Sequence, residues 1–258
     1  MQFESSGAGA PLAVVGGGLT GWASWRPLLA RMPAGRRIIL LQPLNVQLGL
    51  EKQPLPPGYG VNMESAALGA ALDDADVHTP VDLVAWSYGA LATLDFVLDH
   101  PERVRSAVLI EPPAVWVLPD HGRAHEEAAR LEKLIPESSM DITLDMLDAF
   151  LGIAGFVPPG ASARPLPQWS SWVGFRLSLR NTPAVFAHVD DLARLRASDR
   201  PVLLVTGSDT APFLRDIIDT LAASLPHART IEMPAGHAPQ IVSPDRFFAE
   251  VDTFLGTP

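Results

Sequence analysis

Cysteine is absent from the 258 residues. Disulfides, thiolate nucleophiles and cysteine-based metal sites are therefore excluded, and the chain fits a reducing compartment. Long apolar runs are missing too. None approaches the ~20 residues that a membrane-crossing helix needs. The first eleven residues lack the basic and apolar regions of a secretory signal. These absences predict a soluble, cytoplasmic protein.

Positive charge is scarce, with 19 Lys and Arg against 29 Asp and Glu and a formal net charge of −10. A basic footprint for nucleic acid is therefore lacking. No carboxylate and histidine group has metal-ligand spacing, so no metal is expected. Hydrophobic residues are plentiful at 47%. The length suits one large domain, or one domain carrying an insertion.

The chain is organised around residues 84–90, Val-Ala-Trp-Ser-Tyr-Gly-Ala. An apolar run, 81–86, leads into Ser87, and a helical pattern follows at once. A serine at the apex of a sharp strand-to-helix turn needs small neighbours, and Ala85 and Gly89 meet that need. By itself the pentapeptide also suits an ordinary turn.

The rest of the chain alternates. Short apolar runs at 12–15, 38–41, 81–86, 106–110, 201–206 and 230–233 read as strands. Helical patterns at 22–32, 63–72, 90–100, 212–225 and 244–255 separate them, and 45–62 reads as a loop. This predicts an α/β fold with a mainly parallel sheet of about six strands, covered on both faces. Between 114 and 199 the strands stop and helical patterns take over, at 121–135, 143–152 and 183–196. That segment reads as an insertion into a core made of 1–113 and 200–258.

Several loops carry chemistry-bearing residues. Gly16, Gly17 and Gly18 follow the first strand. Gly16, Gly18 and Gly21 also match a dinucleotide fingerprint, but no acidic residue closes the second strand to meet a ribose. Glu111 ends the strand at 106–110. Gly207-Ser208-Asp209 closes the strand at 201–206, and Gly236-His237 follows the last strand.

In this order, the glycine loop, Ala85-Trp86-Ser87-Tyr88-Gly89, His100-Pro101-Glu102-Arg103-Val104 and Ala235-Gly236-His237 resemble the α/β-hydrolase fold superfamily over nearly the whole chain. The resemblance implies Ser87 as nucleophile and His237 as base. It implies an oxyanion hole from the N–H groups of Tyr88 and Gly18, with Leu19 the second choice to Gly18 and a candidate pocket residue. The acid has two candidates. Counting from Gly207 puts Thr210 at the usual position, and threonine cannot serve as the anion. Glu111, at the family's other location, is the first candidate; Asp209, one residue early, is the second. Relatives commonly carry a two-strand hairpin ahead of the first loop strand, and eleven residues are too few for it.

A nucleophilic serine implies acyl transfer to water, on an ester, lactone or thioester, with no cofactor. The acid before the insert and the Gly-Gly-Leu loop look like those of zearalenone lactonases. The insert then forms a lid over a pocket for a bulky apolar or aromatic small molecule. Trp116, Trp169, Trp172 and Phe175 are candidate walls, although each alone suits the insert's own core. His188, also in the insert, is a weaker candidate for the pocket. The same triad serves C–C bond hydrolases and cofactor-free haloperoxidase-like enzymes, and the fold also serves as a non-catalytic ligand receptor.

Overall fold

The computed structural model describes residues 1–136, 141–158 and 160–256. Positions 137–140 and 159 of the expected insertion, and the last two of the expected core, lie outside the described residues. Seven strands form one sheet: β1 (Gln2–Gly7), β2 (Ala10–Val15), β3 (Arg36–Gln42), β4 (Val81–Trp86), β5 (Val104–Ile110), β6 (Val202–Gly207) and β7 (Ala228–Met233). Their spatial order is β1-β3-β2-β4-β5-β6-β7. Every pairing is parallel except β1 with β3.

The sheet is one strand larger than the sequence predicts. β1 pairs antiparallel with β3, from Gln2 opposite Gln42 to Gly7 opposite Arg37. Its sequence, QFESSG, is mostly exposed and has no apolar alternation. Backbone pairing to an edge supplies what side-chain burial does not, so hydrophobic pattern cannot reveal it.

The middle strands bury both faces, and their residues alternate between two cores. Leu83 and Ala85 of β4 join one core with Ala13, Val15, Leu109 and Leu204. Val84 and Trp86 join the other with Val14, Ile110 and Val205. Helices α1 (Leu44–Leu50), α2 (Val61–Asp74) and α3 (Tyr88–Asp99) follow β3 and β4. Residues of α2 and α3 fill the first core. Between β5 and β6 come α4 (Arg123–Leu134), α5 (Leu144–Ile153), α6 (Trp169–Phe175), α7 (Thr182–Ala187) and α8 (Leu192–Ala197), with no strand among the described residues. Then α9 (Pro212–Ser224) adds to the first core, and after β7 come α10 (Pro239–Val242) and α11 (Pro244–Leu255). Phe247, Phe248 and Val251 of α11 cover the second face.

Two local expectations differ from the structure. Residues 22–32 form two 3₁₀ segments, Trp22–Ser24 and Arg26–Arg31, instead of one helix. Pro27 removes a backbone donor there. Conversely, α1 occupies the start of the expected loop at 45–62.

β4 carries one buried charge that braces it. The Asp82 carboxylate accepts from Arg36 Nη1 at 2.8 Å, Arg105 Nε at 2.9 Å and Ser106 Oγ at 2.6 Å. Arg36 and Asp82 are both buried. Removing one partner strands the other charge in a low-dielectric interior. Asp82→Ala is expected to cost about 3–5 kcal/mol of stability. A fall in the urea midpoint at constant m-value would register it.

Candidate active site

The strand order reverses direction between β2 and β4, which is where open α/β sheets leave a crevice at the strand ends. The loop after β2 and the turn after β4 both open there. At that turn Ser87 has φ 54° and ψ −125°, a conformation few non-glycine residues adopt. Its N–H is held by the Ile110 carbonyl at 2.8 Å. The turn packs tightly on the glycine loop: a Cβ on Gly89 would lie 2.2 Å from the Gly16 carbonyl oxygen. That close approach is why the position two past the serine is glycine.

His237 Nε2 stands 2.9 Å from Ser87 Oγ, and His237 Nδ1 stands 2.6 Å from Glu111 Oε2. The imidazole is 3% exposed and Glu111 is 0% exposed. A buried carboxylate needs partners, and this one has several. Oε1 accepts from Gly207 N–H at 2.8 Å and Thr206 Oγ1 at 3.0 Å; Oε2 also accepts from Thr210 Oγ1 at 2.7 Å. Thr210 thus stands at the counted position and donates to the Glu111 carboxylate, which reaches in from the end of β5. Glu111 has φ 44°, so two of the four non-glycine residues with φ > 0 among the described residues belong to this constellation. Strain of this kind concentrates at functional sites. Asp209 is exposed, its carboxylate paired with Ser208 Oγ at 3.3 Å.

His237 is gripped from the segment between β5 and β6. Its N–H donates to the Gly155 carbonyl at 3.1 Å. The Phe156 ring meets the imidazole edge-on at 5.0 Å, and Trp86 Nε1 donates to the His237 carbonyl at 2.7 Å. Gly155 and Phe156 escaped the sequence reading, since nothing local marks a turn that touches a residue eighty positions on.

A cavity opens over Ser87. Gly17, Gly18, Leu19, Trp86, Tyr88 and His237 form its floor. Apolar walls come from Val115, Leu131, Phe150, Phe156, Val185 and Phe213. The N–H groups of Gly18 and Leu19 meet no protein acceptor among the described residues. The Tyr88 N–H lies in the first turn of α3, where helical N–H groups have no partner within the helix. Asn45 Nδ2 holds the Gly18 carbonyl at 2.7 Å.

The four aromatics expected as walls do not line this cavity. Trp169, Trp172 and Phe175 pack on the cluster that includes Leu147, Leu151 and Leu179. Trp172 meets the Phe156 ring edge-on at 6.0 Å. Trp116 packs on the first core and meets His188 edge-on at 6.4 Å. These rings pack among the helices, and other apolar side chains, Phe150 and Phe156 among them, face the cavity. His188 is also elsewhere: its Nε2 lies 3.5 Å from Asp95 Oδ1. Asp95, His188 and Asp190 each offer a ligand atom within 4.8 Å of the others, a grouping the sequence spacing did not reveal. Arg194 Nη1 already binds both Asp190 oxygens at 2.9 Å, so the group is built as an ion-pair cluster. No helix among the described residues is long and apolar enough to cross a membrane.

Known proteins place this geometry in a family. A 2-hydroxy-6-oxo-2,4-heptadienoate hydrolase from Pseudomonas putida is 37% identical over 112 residues, which are 42% of this chain and 40% of that protein. The matched segment thus spans less than half of the relative's length. The fold is similar to a hydrolase from Pseudomonas aeruginosa PA01 at 22% identity and TM-score 0.79, over 99% of this chain and 94% of that one. It is also similar to the enol-lactonase from Burkholderia xenovorans LB400 at 16% identity and TM-score 0.74, over 98% and 95%. The model described as the alpha/beta hydrolase family matches residues 9–251, from before the glycine loop to beyond His237, and the chain belongs to that family.

Proposed function

We propose that the protein is a serine hydrolase that cleaves a carboxylic ester or lactone bond of a neutral, bulky, apolar or aromatic small molecule. Ser87 Oγ attacks the carbonyl carbon while His237 Nε2 takes its proton, and Glu111 stabilises the imidazolium. The Gly18 and Tyr88 N–H groups receive the charge that develops on the carbonyl oxygen. Collapse expels the alcohol, which takes the proton back from His237, and an acyl group remains on Ser87. Water, deprotonated by His237, then releases the acid. Residues 114–199 act as a lid, and the chemistry requires no cofactor.

The observation that carries this reading is the cavity lining around Ser87. Apart from His237, no lining residue among the described residues can carry positive charge. A substrate that brings its own carboxylate would lose its hydration there with no cation in return, a cost of several kcal/mol.

The second reading is C–C bond hydrolysis, favoured by the name of the Pseudomonas putida relative. A 2-hydroxy-6-oxo-dienoate contains no ester, so its hydrolysis breaks a carbon–carbon bond beside the ketone. Such a substrate is anionic, and the lining argues against it.

A hydrolysis panel tests the choice. It comprises p-nitrophenyl esters of rising chain length, aromatic and macrocyclic lactones, and a 2-hydroxy-6-oxo-dienoate. Turnover of neutral esters or lactones, with kcat/KM at least tenfold below them for the dienoate, is the expected result. The opposite ranking would move the assignment to C–C hydrolysis. Wild-type protein that resists a fluorophosphonate probe at Ser87 would leave a non-catalytic ligand receptor.

A further inference from the structure

Three glycines in a row, Gly16 to Gly18, open the loop that faces Ser87. Glycine leaves the backbone free, so contacts from outside must set the aim of the loop's N–H groups. A peptide is planar, so holding its carbonyl also holds its N–H. The Gly18 N–H shares a peptide with the Gly17 carbonyl, which accepts from the Gly21 N–H at 2.9 Å. The Leu19 N–H shares a peptide with the Gly18 carbonyl. Among the described residues that carbonyl has one partner, Asn45 Nδ2 at 2.7 Å. The loop lies directly on the nucleophile turn: a Cβ on Gly18 would stand 2.8 Å from the Tyr88 Cβ.

Asn45 is 0% exposed, and its amide has one possible orientation. Nδ2 also donates to the Ser178 carbonyl at 2.9 Å, in the segment between β5 and β6. Both partners are backbone carbonyls, which only accept. The NH₂ group must therefore lie between them, because a flipped amide would set Oδ1 against two acceptors. Oδ1 itself has no partner among the described residues. A buried acceptor without a partner costs stability, and an apolar side chain of similar size would avoid that cost. Stability alone thus explains this asparagine poorly. Its backbone is anchored as well. The Asn45 N–H donates to Glu64 Oε1 and the Leu44 N–H to Oε2, both at 2.9 Å, and Glu64 is buried. The same carboxylate accepts from the Tyr59 hydroxyl, which lies 2.9 Å from the Tyr88 hydroxyl. Glu64 therefore connects Asn45 to the residue that carries the other oxyanion N–H.

We propose that Asn45 is a positioning residue for hydrolysis. Its amide holds the Gly18–Leu19 peptide, so that the glycine loop keeps its N–H groups aimed at the oxygen of the scissile carbonyl. Its second hydrogen ties that loop to the insert at Ser178. The inference rests on the hydrolase reading for the charge that the loop receives.

Asn45→Leu removes both donated bonds and the unpaired Oδ1 at nearly constant size. It is expected to lower kcat on p-nitrophenyl butyrate about 10²-fold, the scale of a misplaced catalytic group. KM should change less than about twofold, because the oxyanion charge develops only on the way to the transition state. Affinity for a boronic acid, which forms a tetrahedral adduct on Ser87 with an oxygen in the oxyanion position, should fall by about the factor lost in kcat. A structural role alone would lower the melting temperature and leave both values intact in folded protein. Asn45→Asp, which keeps the shape and replaces the donors by a carboxylate, should behave alike and serves if the leucine variant does not fold. An unchanged kcat in a folded variant, or a lower kcat with boronic acid affinity retained, would overturn the proposal. Backbone amide NMR relaxation separates it from the reading it rests on. In wild-type protein the Gly18 and Leu19 amides should show order parameters near the rigid value of about 0.85, falling below about 0.6 in Asn45→Leu. If wild-type protein hydrolyses no ester and resists a fluorophosphonate, the hydrolase reading fails, and these order parameters still decide whether Asn45 holds the loop. Low values in wild type, or values unchanged in the variant, overturn that role whatever the turnover.

Discussion

Ser87→Ala is expected to lower kcat about 10⁶-fold, the scale seen when a triad nucleophile is removed. The size follows from geometry. Ser87 Oγ is the atom 2.9 Å from His237 Nε2, and the imidazole has no other hydroxyl partner on that side among the described residues. Without Oγ, only binding and the oxyanion donors remain, and these act on a water held by nothing. Folding should be untouched, because Oγ makes one bond and the Ser87 N–H keeps its bond to the Ile110 carbonyl. Single-turnover kinetics on a p-nitrophenyl ester, with a melting curve as control, measures the effect. Activity above 1% of wild type in a correctly folded variant would put the nucleophile elsewhere.

Glu111→Gln should be the next largest loss, about 10⁴-fold in kcat, as for a comparable acid-to-amide change. The carboxylate accepts on both oxygens, from Gly207, Thr206 and Thr210 as well as His237. A glutamine can keep its oxygen toward Gly207 N–H and Thr206. Its NH₂ group must then face His237 Nδ1 and Thr210. An amide donating to Nδ1 forces the imidazole hydrogen onto Nε2, where it points at Ser87 and cannot accept the serine proton. The variant thus holds the wrong tautomer in an otherwise intact site. Asp209→Asn should cost less than tenfold, since that side chain is exposed and bonded to Ser208. Comparing kcat for the two variants checks the ranking, and the reverse order would make Asp209 the acid.

These expectations draw unequally on sequence and structure. The strand runs at 81–86 and 201–206, the turn at Ser87 and the Gly-His after β7 are all legible locally. Each depends on features within a few residues: an apolar run, a small neighbour, a helix start. β1 was not legible, because its six residues are held by an edge pairing and bury almost nothing. The cavity wall was not legible either. The sequence shows which aromatics the insert holds, but which rings face inward depends on how its helices pack. Trp169 and Trp172 went to the helix–helix core while Phe150 and Phe156 went to the cavity.

The sequence by itself determined the family's order of elements and a short list of reactive side chains, with Glu111 and Asp209 both open as the acid. Only the tertiary structure decided which of them meets His237. That choice depends on register: β5 and β6 run side by side with Ile110 opposite Val205, so the chain leaves β5 at Glu111 directly beside Thr206 and Gly207. Residues 95 to 99 positions apart then share one buried carboxylate. No local pattern encodes a pairing at that separation.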